Sequence, residues 1–194
     1  MDYTIKHITT EQELDNALGF ARKVFGELIG HKSREEFLGK MERNSEFLLY
    51  AESSGEAIGI VFGSIEANGN MTADIVAVDE HLRNQGVARE MMLLLEERAK
   101  AHGVKLIALG AVQSAERFYA KLGYTGSLLI QSEKHSIDEL LSLNKKYPVN
   151  YNRVHDGTIN QVNLAITEAD RELRRKYETD LPGCNTQMMF WKNL

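Results

Sequence analysis

The chain of 194 residues is 43% hydrophobic and 26% charged, enough for a buried core, which excludes disorder, collagen-like repeats and disulfide scaffolds. With 23 Lys and Arg against 28 Asp and Glu, the net charge is −5, the wrong sign for a nucleic-acid footprint. The single cysteine, Cys184, excludes an intrachain disulfide and a multi-cysteine metal site, and the histidines share no HxxxH or HExxH spacing.

In chain order, Tyr3 to Ile8 alternates weakly and predicts a first strand. Thr10 and Glu13 form a capping box that opens a helix, with Leu14, Ala17, Leu18, Ala21, Val24 and Phe25 on one stripe. Ser33 and Glu36 form a second box before Phe37, Leu38 and Met41. Three β-rich runs follow: Phe47 to Ala51, Ala57 to Ile65 and Thr72 to Val78. The last two flank Asn68-Gly69, which predicts a two-residue type I′ turn.

Val87, Ala88, Met91, Met92, Leu95 and Ala99 predict a long amphipathic helix closed by Gly103. Val104 to Leu109 reads as a strand buried on both faces, and Ala115 to Leu122 as a helix stopped by Gly123. Strand, loop, helix and strand from Thr72 to Leu109 form a parallel crossover attached to an antiparallel meander. Beyond Tyr124, a strand at Leu128 to Gln131 precedes a capping box at Ser136 and Glu139, whose helix ends before Pro148. Val149 to Val154 and Ile159 to Ile166 flank a turn at Asp156-Gly157. Thr167 is expected to cap a helix bearing Ala169, Leu173 and Tyr177, whose basic run Arg174-Arg175-Lys176 reads as a solvated face. Thr186 to Trp191 is a last strand. The start of the chain lacks a basic flank before an apolar run, and no apolar stretch approaches ~20 residues, so a cytoplasmic location without membrane contact is expected.

The segment from Ile75 to Arg89 carries the chemistry. It is a strand, a short polar loop and a helix opening on Gly86-Val87-Ala88. Small residues let the backbone approach a ligand, and the free N–H groups of a first helical turn form an anion site, with Arg83 and Arg89 at the rim. No Gly-Lys-Ser/Thr follows, so it is not a Walker loop, and a single glycine is not a dinucleotide fingerprint.

Arg83-x-x-Gly86-x-Ala88 after this strand resembles the R/Q-x-x-G-x-G/A motif of the GNAT superfamily of acetyl-CoA-dependent N-acetyltransferases. Ala115-Glu116-Arg117-Phe118-Tyr119-Ala120-Lys121-Leu122-Gly123-Tyr124 resembles that family's second signature, one helix and one strand further on. The resemblance spans Tyr3 to about Ser132, with the final strand.

The resemblance implies acetyl transfer from acetyl-CoA, as cosubstrate and without a metal, to a primary amine, with a small-molecule acceptor favoured. It implies that pantetheine runs beside Val76, Ala77 and Val78, and that the diphosphate lies on the backbone of Asn84, Gln85, Gly86, Val87, Ala88 and Arg89. Tyr119 holds the position of the proton donor to the departing thiolate. For the base, Asp74 shares side-chain parity with Thr72, Val76 and Val78, which predicts a common sheet face; Glu66, Glu80 and acids of the later segment remain open. The strand from Leu106 to Gly110 carries no acid, and Val112 stands where relatives often have Asn. A protein or peptide acceptor, or a non-catalytic acyl-CoA-binding regulatory module, are the alternative readings.

The expected fold is α/β (α+β): a GNAT-like mixed, mostly antiparallel sheet of about seven strands flanked by helices. The expected organisation is an acetyltransferase core over 1–132, an inserted αββα segment over 133–181 and a final strand over 182–194. The insert is expected to cover the acceptor mouth, to form a homodimer surface or to add core.

Overall fold

The computed structural model describes residues 2–26 and 34–194, so Ser33, the first residue of the second capping box, lies outside the described residues. The chain divides into two units, residues 1–107 with 193–194, and residues 108–192.

In the first unit, β1 (Thr4–His7) leads into α1 (Glu11–Phe25). Both halves of the Thr10–Glu13 capping box are present. Glu13 also accepts from the Thr9 N–H at 2.8 Å and the Tyr50 hydroxyl at 2.9 Å. Burial alone would raise its carboxyl, but these hydrogen bonds outweigh it and hold the pKa down at about 2. After α2 (Arg34–Asn44), three strands follow: β2 (Leu48–Ser53), β3 (Glu56–Ile65) and β4 (Met71–Val78). They run antiparallel in the order β1-β2-β3-β4.

One face of these strands buries Ile8, Leu48, Tyr50, Ile60, Phe62, Ile75 and Ala77 against Leu14, Ala17, Leu18 and Ala21 of α1 and Phe37 of α2. The other face receives α3 (Val87–Ala101): beside Gly59 and Gly63, where a Cβ would stand, lie Met91 and Leu95. The β3–β4 connection differs from a two-residue turn. Gly69 alone has positive φ, its N–H bonds to the Glu66 carbonyl, and the Glu66 N–H bonds to Asn70, the pattern of a type I turn with a glycine bulge.

The β3–β4 register slips between Phe62 and Gly63, so that Phe62 pairs with Ile75 and Gly63 with Ala73. Asp74 is the extra residue, a β-bulge. This corrects the parity read from the sequence. Asp74 points to the face of α1 and α2, where Lys40 and Ser64 meet it. Val78 lies on the opposite face, near the space beside Met91 of α3.

β5 (Leu106–Ala111) alternates in burial, with Ile107, Leu109 and Ala111 buried and Gly110 exposed, rather than being buried on both faces. In the second unit, α4 (Glu116–Lys121) and β6 (Thr125–Ser132) precede α5 (Ile137–Ser142), β7 (Val149–His155), β8 (Ile159–Leu164), α6 (Arg171–Asp180) and β9 (Asn185–Asn193). The order here is β9-β6-β8-β7, all antiparallel. The described residues thus form nine strands rather than about seven, mostly antiparallel and flanked by helices. The difference is β7 and β8, which extend the pairing from β6 because Val162 and Leu164 bury beside Ile130 and Leu128.

α5 ends before Pro148 as expected, whereas the start of α6 departs from expectation. α5 stops at Ser142 because the Asn144 side chain captures Tyr147, accepting from its N–H at 3.0 Å and donating to its carbonyl at 2.7 Å. The cap of α6 is Asp170, not Thr167: its carboxylate accepts from the Leu173 N–H at 3.0 Å and the Tyr147 hydroxyl at 2.8 Å. No helix among the described residues is long and apolar enough to cross a membrane.

Candidate active site

The first unit holds every sequence-predicted cofactor residue. β4 delivers Val76, Ala77 and Val78, the last two buried. Asp79 then caps a short turn by accepting from the His81 N–H at 3.0 Å. Asn84 takes a left-handed φ of 65°, and the Gln85 side-chain amide donates to the His81 carbonyl at 3.2 Å. These bonds shape the loop that aims the chain into α3.

Gly86 is the N-cap of α3, at φ 94° and ψ −15°, a left-handed conformation suited to glycine. It supplies no side chain to cap the helix. A Cβ there would meet only a carboxylate oxygen of Glu90, at 4.0 Å. The Glu90 N–H bonds back to the Gly86 carbonyl at 3.0 Å, so the amides of Val87, Ala88 and Arg89 precede the helical ladder and face outward along the axis. Arg83 and Arg89 are exposed, Ala88 is half-buried and Val87 anchors the turn in the core. The Tyr3 hydroxyl, at 2.8 Å, holds the carboxylate of Glu90, the acid of this first turn. Open space, uncapped amides and flanking guanidinium groups fit a diphosphate.

Asp74 is largely buried. Lys40 donates to it at 2.9 Å and Ser64 donates from its hydroxyl, while Lys40 also pairs with Glu36 at 3.1 Å. Sequence reasoning did not anticipate Lys40 or Ser64. They stand 34 and 10 residues from Asp74, and no local spacing signals either contact.

Tyr119 belongs to the second unit and is described there. Its ring is buried at 5% exposure, packed 5.0 Å from Phe118, 6.0 Å from Tyr124 and 5.6 Å from Phe190 between ring centres. Its hydroxyl has no hydrogen-bond partner among the described residues, and burial raises its pKa above the ordinary phenol value. At neutral pH it is therefore a protonated phenol not committed to a neighbour. Val112 is exposed and accepts the Ala115 N–H at 2.9 Å through its carbonyl.

The acetyltransferase (GNAT) family model matches residues 8–124. No curated protein matches the chain in sequence. Among solved structures, a point mutant of an agmatine N-acetyltransferase, in its apo form, superposes with a TM-score of 0.62 at 12% identity, over 100% of both chains. The PaiA N-acetyltransferase of Thermoplasma acidophilum, in complex with coenzyme A, gives 0.57 at 14% identity, over 86% of this chain and 100% of its own. A GNAT-family acetyltransferase of Staphylococcus aureus Mu50 gives 0.57 at 13% identity, over 100% of this chain and 99% of its own. At such identities these likenesses show the fold.

Proposed function

The chain belongs to the acetyltransferase (GNAT) family, and from that premise we propose that it transfers the acetyl group of acetyl-CoA to a primary amine of a small molecule. The observation that carries the cofactor half of this reading is the start of α3, where left-handed Gly86 leaves uncapped amides and open space. Acetyl-CoA supplies the acetyl group as a thioester.

The chain's own residues then divide the work. The first-turn amides of α3, with Arg83 and Arg89, hold the diphosphate. The backbone of Val76 to Val78 aligns the pantetheine arm, and the N–H near Val78 polarises the acyl carbonyl. Asp74 takes a proton from the acceptor ammonium through water, with Lys40 and Ser64 fixing its carboxylate. Tyr119 gives its proton to the sulfur as it departs.

Substituting Gly86→Glu tests the assignment. It puts a side chain at a positive φ and a negative charge at the diphosphate position, so calorimetry should show loss of coenzyme A binding in a folded protein. Unchanged affinity in a folded variant overturns the cofactor site. Coenzyme A release measured against amines, amino acids and peptides tests the acceptor; turnover confined to peptides would reject the small-molecule reading.

A further inference from the structure

The second unit holds a cavity of about 250 Å³, lined by none of the residues given a role in acetyl transfer. Its wall combines Gln131 and Ser132 at the end of β6, the turn of Glu133 and Lys134, Ile159 of β8, and Gly183 and Asn185 where the chain enters β9. Sites for drug-sized ligands run to roughly 300–1,000 Å³, so this one suits a smaller molecule.

One donor outside the cavity sets the polarity of its wall. The guanidinium of Arg153 can only donate, and its Nε reaches the Gln161 side chain at 2.9 Å. Gln161, 4% exposed, must therefore turn its oxygen to Arg153 and its NH2 to Gln131, 3.0 Å away. Gln131 then accepts with its oxygen, which leaves its own NH2 for the cavity. The row of amides has a single direction, headed by a cation, and each bond polarises the next. On the neighbouring strand, exposed Asn185 pairs with Gln131. The stem of Lys134 lies across Gly183, where a Cβ would stand 3.1 Å from Cδ. The Ser132 oxygen holds this turn by accepting from the N–H groups of Lys134 at 3.1 Å and His135 at 3.3 Å. Neither Lys134 nor Glu133 forms an ion pair among the described residues.

We infer that this cavity binds a small aliphatic α-amino acid. The ligand carboxylate accepts from the Gln131 NH2 and from the Lys134 ammonium, with the Asn185 side chain beside it. The α-ammonium donates to Glu133, and the aliphatic side chain meets Ile159. Glu133 repels a bare dianion such as phosphate and favours a ligand that carries its own cation. A zwitterion supplies the partner of each charge.

The test reads binding to the whole chain without coenzyme A, so its outcome is separate from acetyl transfer. Titrating L-alanine into the isotope-labelled chain should shift the side-chain amide signals of Gln131 and Asn185 saturably. Propionate, which lacks the ammonium, and ethylamine, which lacks the carboxylate, should each bind weaker by about tenfold or more, as should L-alanine to Lys134→Met and to Glu133→Gln. Arg153→Met should also weaken L-alanine binding with the other signals in place, because Gln161 is then free to turn and Gln131 to present its oxygen; Arg153→Lys should restore it. Absence of saturable shifts by about 10 mM L-alanine overturns the inference. So does equal binding of propionate, ethylamine or inorganic phosphate, or unchanged affinity in Lys134→Met or Glu133→Gln. Wild-type affinity in Arg153→Met overturns the amide orientation on which it rests.

Discussion

Arg174 of α6 donates to Glu116, the first residue of α4, at 2.8 Å, across 58 residues of chain. The same guanidinium bonds the hydroxyl of Thr186 at 3.1 Å and its carbonyl at 3.2 Å. Both charged side chains are mostly buried, at 17% and 12% exposure. The basic run that reads as a solvated face in sequence thus includes one tether, while Arg175 and Lys176 are exposed. The tether ties the start of the helix that carries Tyr119 to α6 and β9.

Arg174→Met should therefore cost stability. It leaves the Glu116 carboxylate and the Thr186 carbonyl without their donor, a loss of about 2 kcal/mol for hydrogen bonds to a charged group. The double variant Arg174→Met, Glu116→Gln should recover part of that loss. Urea denaturation of the four proteins gives the coupling energy; additive effects would mean that the pair contributes nothing beyond its members.

Tyr119→Phe should lower kcat about 10²–10⁴-fold, roughly 3–5 kcal/mol of barrier, while coenzyme A affinity changes little. The ring and its packing against Phe118, Tyr124 and Phe190 remain. Because burial raises the hydroxyl above its ordinary value of 10.0, its loss of a proton lies on the alkaline side of that value. Any alkaline limb in the wild-type rate below pH 10 should persist unchanged in the variant. Wild-type turnover by Tyr119→Phe would assign the proton to water.

Asp74→Asn should reduce kcat and steepen the dependence of rate on pH, because only acceptor amine already neutral in solution can then react. Raising the pH should restore part of the rate. A variant slow at every pH would show that Asp74 positions rather than accepts the proton.

The capping carboxylate of Glu13 makes stability depend on acid. Its pKa is held at about 2 against an ordinary 4.5, so its contribution is full above 4.5 and fades as the pH falls through 2. Glu13→Ala should melt below the wild type by the loss of a cap, about 1 kcal/mol at neutral pH. The gap should narrow from pH 4.5 toward pH 2, as thermal melts across that range would record.

Gly126→Ala meets backbone rather than a flexible side chain. Its Cβ would stand 2.7 Å from the Thr167 carbonyl oxygen and 3.1 Å from Met188. The strand must shift, at about 1–3 kcal/mol. An unchanged melting temperature would show that the segment after β8 yields freely.

What was legible in the sequence is what short-range chemistry determines. The capping boxes at Thr10 and Ser136 formed as read, because each is closed by side chains three residues apart. The start of α3 was legible for the same reason, because a polar loop running into the small residues Gly86-Val87-Ala88 is a local pattern; the left-handed φ of Gly86 came only with the structure. The two GNAT signatures are local strings as well, and with them the family could be read from the sequence alone. Tertiary structure decided the rest. A one-residue bulge carried Asp74 to the face of α1 and α2, because side-chain parity holds only while the register does. The partners Lys40 and Ser64, the buried Arg174–Glu116 pair and the pairing of β8 with β6 are contacts between segments distant in the chain. Their energies depend on packing that no local pattern encodes, so the sequence could name the family and propose a site, but not the side chains that hold its residues in place.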